Sequence, residues 1–325
     1  MNEEAFVRRR EGEWARLSWL CAKADADPKT LSTNELDELV RRYRAASSDL
    51  AFARTFGHHP PLIDSLNDLV GRAYGVLYRR PRRPIGALLV AALVRAAQTV
   101  RRRRAFVLAS LTLLLASAFL SFFIAGNNAD FREAIMPSSD PNLQAWMKGG
   151  FEDRTGSANA MMWAFYASHN PQVSIIAGAV GAASFGLLSA TLMAATGAQT
   201  GVLAHYMGTV HKLPFLLVSI LPHGITEISG AAIAAAGGLL LGWSIIDPGR
   251  RSRAASLRAA GPDAGVLLLI GVVLTFMAAP IEGFFSFNPA VPHVARVVVI
   301  LVSLLGWLAF WGGFGRTPEE NATVE

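Results

Sequence analysis

Ionisable side chains set inside apolar runs are the residues from which this sequence could do chemistry. His223 and Glu227 stand four apart in Leu221-Pro222-His223-Gly224-Ile225-Thr226-Glu227, at the mouth of or inside an apolar run that continues from Ile228 to Ile246. On a continuous helix they share one face and can hydrogen-bond. Glu282 lies in a second proline-broken stretch, Ala279-Pro280-Ile281-Glu282-Gly283-Phe284. Charged groups at membrane depth cost several kcal/mol each and mark sites of function by default. One reading has His223, Glu227 and Glu282 converge on a polar spot that lines a cavity or binds a partner. The other has the carboxylates tie helices together or cap half-helices at Pro222 and Pro280, leaving no vacant coordination or catalytic position. Spacing alone does not choose between them.

Several chemistries lack their signatures. The His-Glu-x-x-His helix of zinc proteases is missing, because His223 with Glu227 supplies a single histidine and His205 and His211 belong to another segment. No Gly-x-Ser-x-Gly elbow and no phosphate-binding Gly-x-x-x-x-Gly-Lys occurs. Cys21 is the single cysteine, so no intrachain disulfide and no cysteine-pair zinc site can form. The expectation is a non-enzymatic protein with no catalytic residue, no metal and no cofactor.

The elements that must position the three polar residues are membrane helices. The chain is 52% hydrophobic with a mean hydropathy of +0.35, above ordinary soluble domains, and its apolar residues are gathered into blocks. Net charge is +6 with a pI near 9.9. The basic residues crowd the first hundred positions and one short loop, with no aromatic-interleaved stripe, which points to a lipid bilayer as partner and not to nucleic acid. Met1 to Arg8 lacks the apolar core of a signal peptide, so the N-terminus is expected in the cytoplasm.

Residues 1 to 83 read as a cytoplasmic helical head. Trp14, Leu17, Cys21 and Ala24 recur at helical spacing, as do Leu36, Val40 and Tyr43, and then Leu62, Leu66, Leu69 and Ala73. Ser32 with Glu35 forms a capping box for the second helix, and Pro60-Pro61 opens the third. Residues 84 to 104 read as an interfacial elbow helix. Arg79, Arg80, Arg82 and Arg83 precede it and Arg101, Arg102, Arg103 and Arg104 end it, all expected to face anionic lipid.

Residues 105 to 315 form the transmembrane domain, followed by a tail over 316 to 325. Its apolar blocks are Phe106 to Ala125, Val173 to Ala195, Pro214 to Ile246, Ala264 to Ala279 and Val294 to Trp311. Five passes put Arg250, Arg251, Arg253 and Arg258 outside, against the positive-inside rule. Six passes resolve the conflict if residues 198 to 246 cross as Gly201 to Leu221 and return as Ile225 to Ile246, turning at Pro222-His223-Gly224; five passes with a re-entrant half-helix remain the alternative. Segment 127 to 172 then lies outside as an acidic, aromatic-rich loop with short surface helices. Asp140-Pro141 starts one helix, Asn170-Pro171 is a stop, and 247 to 263 is a basic cytoplasmic loop. The predicted fold class is all-α, a polytopic membrane protein of five to six transmembrane helices.

Small residues recur every fourth position at Gly230, Ala234, Gly238 and Gly242 in the third block, and at Gly178, Ala182 and Gly186 in the second. Such faces let helix backbones approach closely. Spacing leaves open whether they pack within one chain or between the chains of a homo-oligomer.

Several motifs together carry a family resemblance. Ser48-Asp49-Leu50-Ala51-Phe52-Ala53-Arg54, Ser65-Leu66-Asn67-Asp68-Leu69-Val70, Asn170, Thr196-Gly197 with Gly201, and Pro222-His223-Gly224-Ile225-Thr226-Glu227-Ile228 resemble the stage II sporulation protein M (SpoIIM-like) family of bacterial membrane proteins. The resemblance runs from about residue 14 to 312. It implies a multipass plasma-membrane protein without catalysis, a scaffold or anchor for other membrane or envelope proteins. The pattern of an elbow helix and a broken central helix is also similar to permease subunits of ABC exporters, which implies the alternative of a transport subunit driven by a separate ATPase.

Overall fold

The computed structural model describes residues 3–27, 30–56, 58–78, 84–149 and 156–316, which are helices and their connections without a strand. The chain divides into two compact units at Pro84. The first contains α1 (Glu3–Ala26), α2 (Thr33–Thr55) and α3 (Pro60–Leu77). Its core is Leu17, Leu20, Cys21, Leu39, Ala46, Leu69 and Ala73. Leu39 takes the inward position on α2 and Leu36 is exposed, so the apolar stripe of that helix is rotated from the expected one. Ser32 and Glu35 make the reciprocal capping box, and α3 opens on the two prolines. Hydrogen bonds from Arg16 and Arg42 hold the Glu38 carboxyl down at about 2, and the bond from Arg16 fastens α1 to α2.

The second unit begins with α4 (Ile85–Arg102), the elbow. Ile85, Leu88, Leu89, Val90 and Leu93 are exposed along its first half, whereas Ala96, Ala97 and Val100 are buried. A turn at Arg103 leads into α5 (Arg104–Asn127), followed by the short α6 (Ala129–Ile135) and α7 (Pro141–Lys148). Asp140 caps α7 through a bond from the Asn142 amide. Then come α8 (Gly156–Ala179), α9 (Leu187–Thr209), α10 (Leu213–Ile246), α11 (Arg253–Pro280) with its π-helical continuation Ile281–Ser286, and α12 (His293–Gly313).

Close approaches fix the helix directions. On α9, Gly197 meets Leu114 and Gly201 meets Ala118, while Gly126 meets His205, so α5 and α9 run parallel. Gly283 abuts Trp163, Ser174 Oγ lies 3.5 Å from Thr275 Oγ1 and Gly178 abuts Leu268, so α8 and α11 run antiparallel. Gly230 faces Gly271 and Gly237 faces Ala264, which makes α10 and α11 antiparallel. The six long helices α5, α8, α9, α10, α11 and α12 therefore alternate in direction. One end of the bundle collects the Arg102–Arg104 turn, the 180–186 turn, the 247–252 connection and the last residues of α12.

Six long helices alternate in direction, but the additional one is not where the sequence put it. The α10 helix does not turn at Pro222-His223-Gly224; it is one 34-residue helix with Pro222 inside it. A membrane interior tolerates proline because packed neighbours can re-satisfy the freed backbone groups. The return occurs at 210–212 instead. The additional long helix is α8, which runs through Asn170-Pro171 without stopping and ends at Ala179, inside the expected second block. Five helices, α5, α9, α10, α11 with its continuation, and α12, are each long and apolar enough to cross a membrane, and α8 is not among them. Its middle residues His169, Asn170, Pro171 and Gln172 dilute the apolar signal. The segment between α5 and the next long helix is accordingly shorter than 127 to 172, because α8 has started by Gly156, and the basic connection is shorter than 247 to 263, because α11 has started by Arg253.

The arginines at the α4–α5 junction also make contacts within the bundle. Arg101 donates to the Phe314 carbonyl at 3.0 Å, and Arg102 and Arg103 reach Asp263 on α11 at 3.1 and 2.8 Å. They fasten the α4–α5 junction to α11 and α12, while Arg102 stays exposed, as does Arg104. Arg79, Arg80, Arg82 and Arg83 lie outside the described residues.

Candidate functional site

Three elements meet around one histidine. The α10 helix supplies His223, directly after Pro222, and Glu227 one turn on. The π-helical segment supplies Glu282 and Ser286. A third element, α8, supplies Asn170. Such π-segments are rare and recur at functional sites. The His223 ring is pinned through Nδ1, which lies 2.8 Å from Ser286 Oγ, and its edge meets the Phe287 ring with centroids 5.5 Å apart. Its Nε2 faces the carboxylates, 3.7 Å from Glu282 Oε1 and 4.0 Å from Glu227 Oε2. Asn170 Nδ2 donates to Glu282 Oε2 at 3.1 Å.

Glycine makes this convergence possible. A Cβ on Gly283 would lie 2.8 to 3.0 Å from the Cβ, Cα and N of Trp163. Only a hydrogen at that position lets α8 come close enough for Asn170 to reach Glu282. His223, Glu282 and Ser286 are buried, and Glu227 is half-buried with 28% of its side chain exposed. One donor atom from each of His223, Glu227 and Glu282 lies within 4.8 Å of the other two, a spacing that can hold a metal ion. Two carboxylates so close in a low-dielectric interior repel when both are charged, so the arrangement needs a cation or a shared proton between them. Beyond the cluster, Trp307 Nε1 donates to Thr226 Oγ1 at 3.0 Å. That bond closes one wall of an open groove of about 400 Å³ lined by Thr226, Met277, Ile281, Val302, Trp307 and Phe310, among others.

The structure brings all three sequence-predicted polar residues together. Asn170 and Ser286 were not anticipated as partners. Asn170 stood out in the sequence, but the proline after it suggested a stop. Ser286 carried no signal, because a π-turn leaves no periodicity to read.

The small-residue faces divide. Gly230 packs on Gly271 and Leu274 of α11, and Ala234 is fully buried between α8 and α11. Gly238 meets Ser189 and the Ala177 carbonyl, and Gly242 meets the backbone of Phe185 and Gly186. These contacts lie within one chain. Gly178 packs on Ala234 and Leu268 as a helix residue, whereas Ala182 and Gly186 do not extend its face. Both belong to the 180–186 turn, where Gly186 has φ +84° and its amide bonds the Gly181 carbonyl at 2.7 Å. A positive φ is what glycine tolerates and other residues resist. Gly197 and Gly201, part of the motif pattern, place their Cα atoms against the carbonyls of Leu114 and Ala118.

Comparison with known families agrees with this architecture. The family model described as Stage II sporulation protein M matches residues 110–287, more than half of the chain, and covers α8, α9, α10 and the whole polar cluster. A second model, a domain of unknown function (DUF8413), matches residues 4–79. No curated protein and no solved structure matches the chain.

Proposed function

Because the chain belongs to the stage II sporulation protein M family, we propose that it is a non-enzymatic scaffold of the bacterial plasma membrane, anchoring partner proteins in envelope or membrane remodelling. The observation that supports this reading is the way the bundle is locked. Gly197, Gly201, Gly230, Gly238 and Gly242 bring helices together backbone to backbone, and five of the six long helices join in these contacts. A bundle held that way presents fixed surfaces, as an anchor requires. Its N-terminal unit offers a separate three-helix surface whose charged groove contains Glu13, Arg16, Glu38 and Arg42.

The buried polar cluster supports a second reading, a permease-like subunit driven by a separate ATPase, since ionisable groups within a membrane mark transport pathways. Purification in mild detergent separates the two. The scaffold reading expects a cell-wall hydrolase or another envelope protein in stoichiometric amount. An ATPase as the stoichiometric partner, with no envelope protein, would replace it by transport.

The proposed orientation places the N-terminus and the arginine-rich end in the cytoplasm. In a Cys21→Ser background, Ala145→Cys and Asn288→Cys should react with an impermeant thiol reagent on intact cells, whereas Ser184→Cys and Ala254→Cys should react only after lysis. Outside labelling at both 184 and 254 would mean that α8 does not cross.

A further inference from the structure

We propose that His223, Glu227 and Glu282 form a binding site for one divalent first-row transition-metal ion, with zinc the best fit, inside the membrane bundle. The inference stands on donor geometry and does not depend on the scaffold reading. His223 presents Nε2 to both carboxylates at 3.7 and 4.0 Å, beyond hydrogen-bonding distance, while its other nitrogen is taken by Ser286. Donors of a tetrahedral zinc site with bonds of about 2.0 Å stand roughly 3.3 Å apart. The observed spacing is a little wider, and rotation about the glutamate side-chain bonds closes it. Direct hydrogen bonding within the triad would instead have drawn the histidine onto one carboxylate.

The surrounding residues have the form of an outer shell. Ligating histidines characteristically donate their second ring N–H to a fixed acceptor, and ligating carboxylates are themselves hydrogen-bonded. Ser286 Oγ and Asn170 Nδ2 stand in those two places. Charge points the same way. Two carboxylates and a neutral imidazole carry a charge of minus two, so one divalent cation makes the site neutral, the state least costly to bury. A mixed nitrogen and oxygen set disfavours Mg²⁺ and Ca²⁺, which take oxygen ligands, and the absence of sulfur disfavours Cu(I). Three protein donors leave one coordination position open, on the side where Glu227 is half-exposed, for water or a group brought by a partner.

The test uses the full chain in detergent, stripped with a chelator, reloaded with Zn²⁺ and desalted. Metal content by mass spectrometry should be about one zinc per chain in the wild type, and well below that in Glu282→Gln and His223→Gln. Zinc should raise the melting temperature of the stripped wild type but not of these variants. Ser286→Ala keeps all three ligands and should fold, with zinc affinity lower by roughly 10–100-fold. X-ray absorption should report nitrogen and oxygen neighbours and no sulfur, which separates this site from Cys21. Failure of the wild type to retain zinc or to be stabilised by it would overturn the proposal. So would full zinc retention in Glu282→Gln, or unchanged affinity in folded Ser286→Ala.

Discussion

Gly238→Leu should fail to give a stable, monodisperse protein. An added Cβ alone would lie 2.5 Å from the Ala177 carbonyl oxygen and closer still to Ser189 Oγ, with the Gly178 carbonyl at 3.2 Å. Two of those three neighbours are backbone, which cannot rotate aside, so α10 must withdraw from α8 and from the start of α9. Overpacking a close-packed interior typically costs about 1–3 kcal/mol, and a leucine against backbone belongs at or beyond the upper end. For a domain of this size that corresponds to a fall of roughly 10 °C in melting temperature, followed in detergent by size-exclusion chromatography and thermal unfolding. Gly306→Leu is the matched control, because Gly306 on α12 has nothing within 4 Å of an added Cβ. It should melt within a few degrees of the wild type. Equal behaviour of the two variants would mean that the α8–α10 contact does not hold the bundle.

Glu227→Gln should separate assembly from function. The amide keeps the size and shape of the carboxylate, and Glu227 is the most exposed of the three cluster residues, so the helices around it have little reason to move. Protein level in the membrane should stay within about twofold of wild type and the melting temperature of the metal-stripped protein near that of stripped wild type, since only one charged group of the cluster is lost. Complementation of a deletion strain should nevertheless be lost, because glutamine supplies neither the negative charge nor a strong cation donor beside His223. Full complementation at normal protein level would reduce Glu227 to a residue that merely fills its place between helices.

The two predictions rest on parts of the molecule that were unequally legible in the sequence. The spacing of His223 and Glu227 on one helix follows directly from helical periodicity, and Glu282 stood out as a carboxylate in an apolar block. Their meeting point could be foreseen as a hypothesis. The route to it could not, because Pro222 and Pro171 signal breaks in ordinary helices and here sit inside α10 and α8. Packed neighbours override a local preference worth a few kcal/mol. The small residues show the same division. Gly230, Ala234, Gly238 and Gly242 keep their shared helix as expected, while Ala182 and Gly186 fall in a turn that alanine- and glycine-rich spacing mimics. In the N-terminal unit the capping signals at Ser32 and Pro60 were local and read correctly. The inward face of α2 depended on what α1 and α3 present to it, so Leu39 replaced Leu36.

In the proposed topology everything after residue 180 takes its sidedness from α8. A chain in which that helix stayed out of the bilayer would still contain five amply apolar spans, but the four that follow it would be threaded the other way. The basic connection between α10 and α11 would change compartment together with the C-terminal end. In that topology the orientation of almost half the protein is set by a helix too polar to be inserted for its own sake. What holds it in place is its fit against the π-helical end of α11: a tryptophan backbone resting on Gly283, and one asparagine bonded to a carboxylate 112 residues further along the chain.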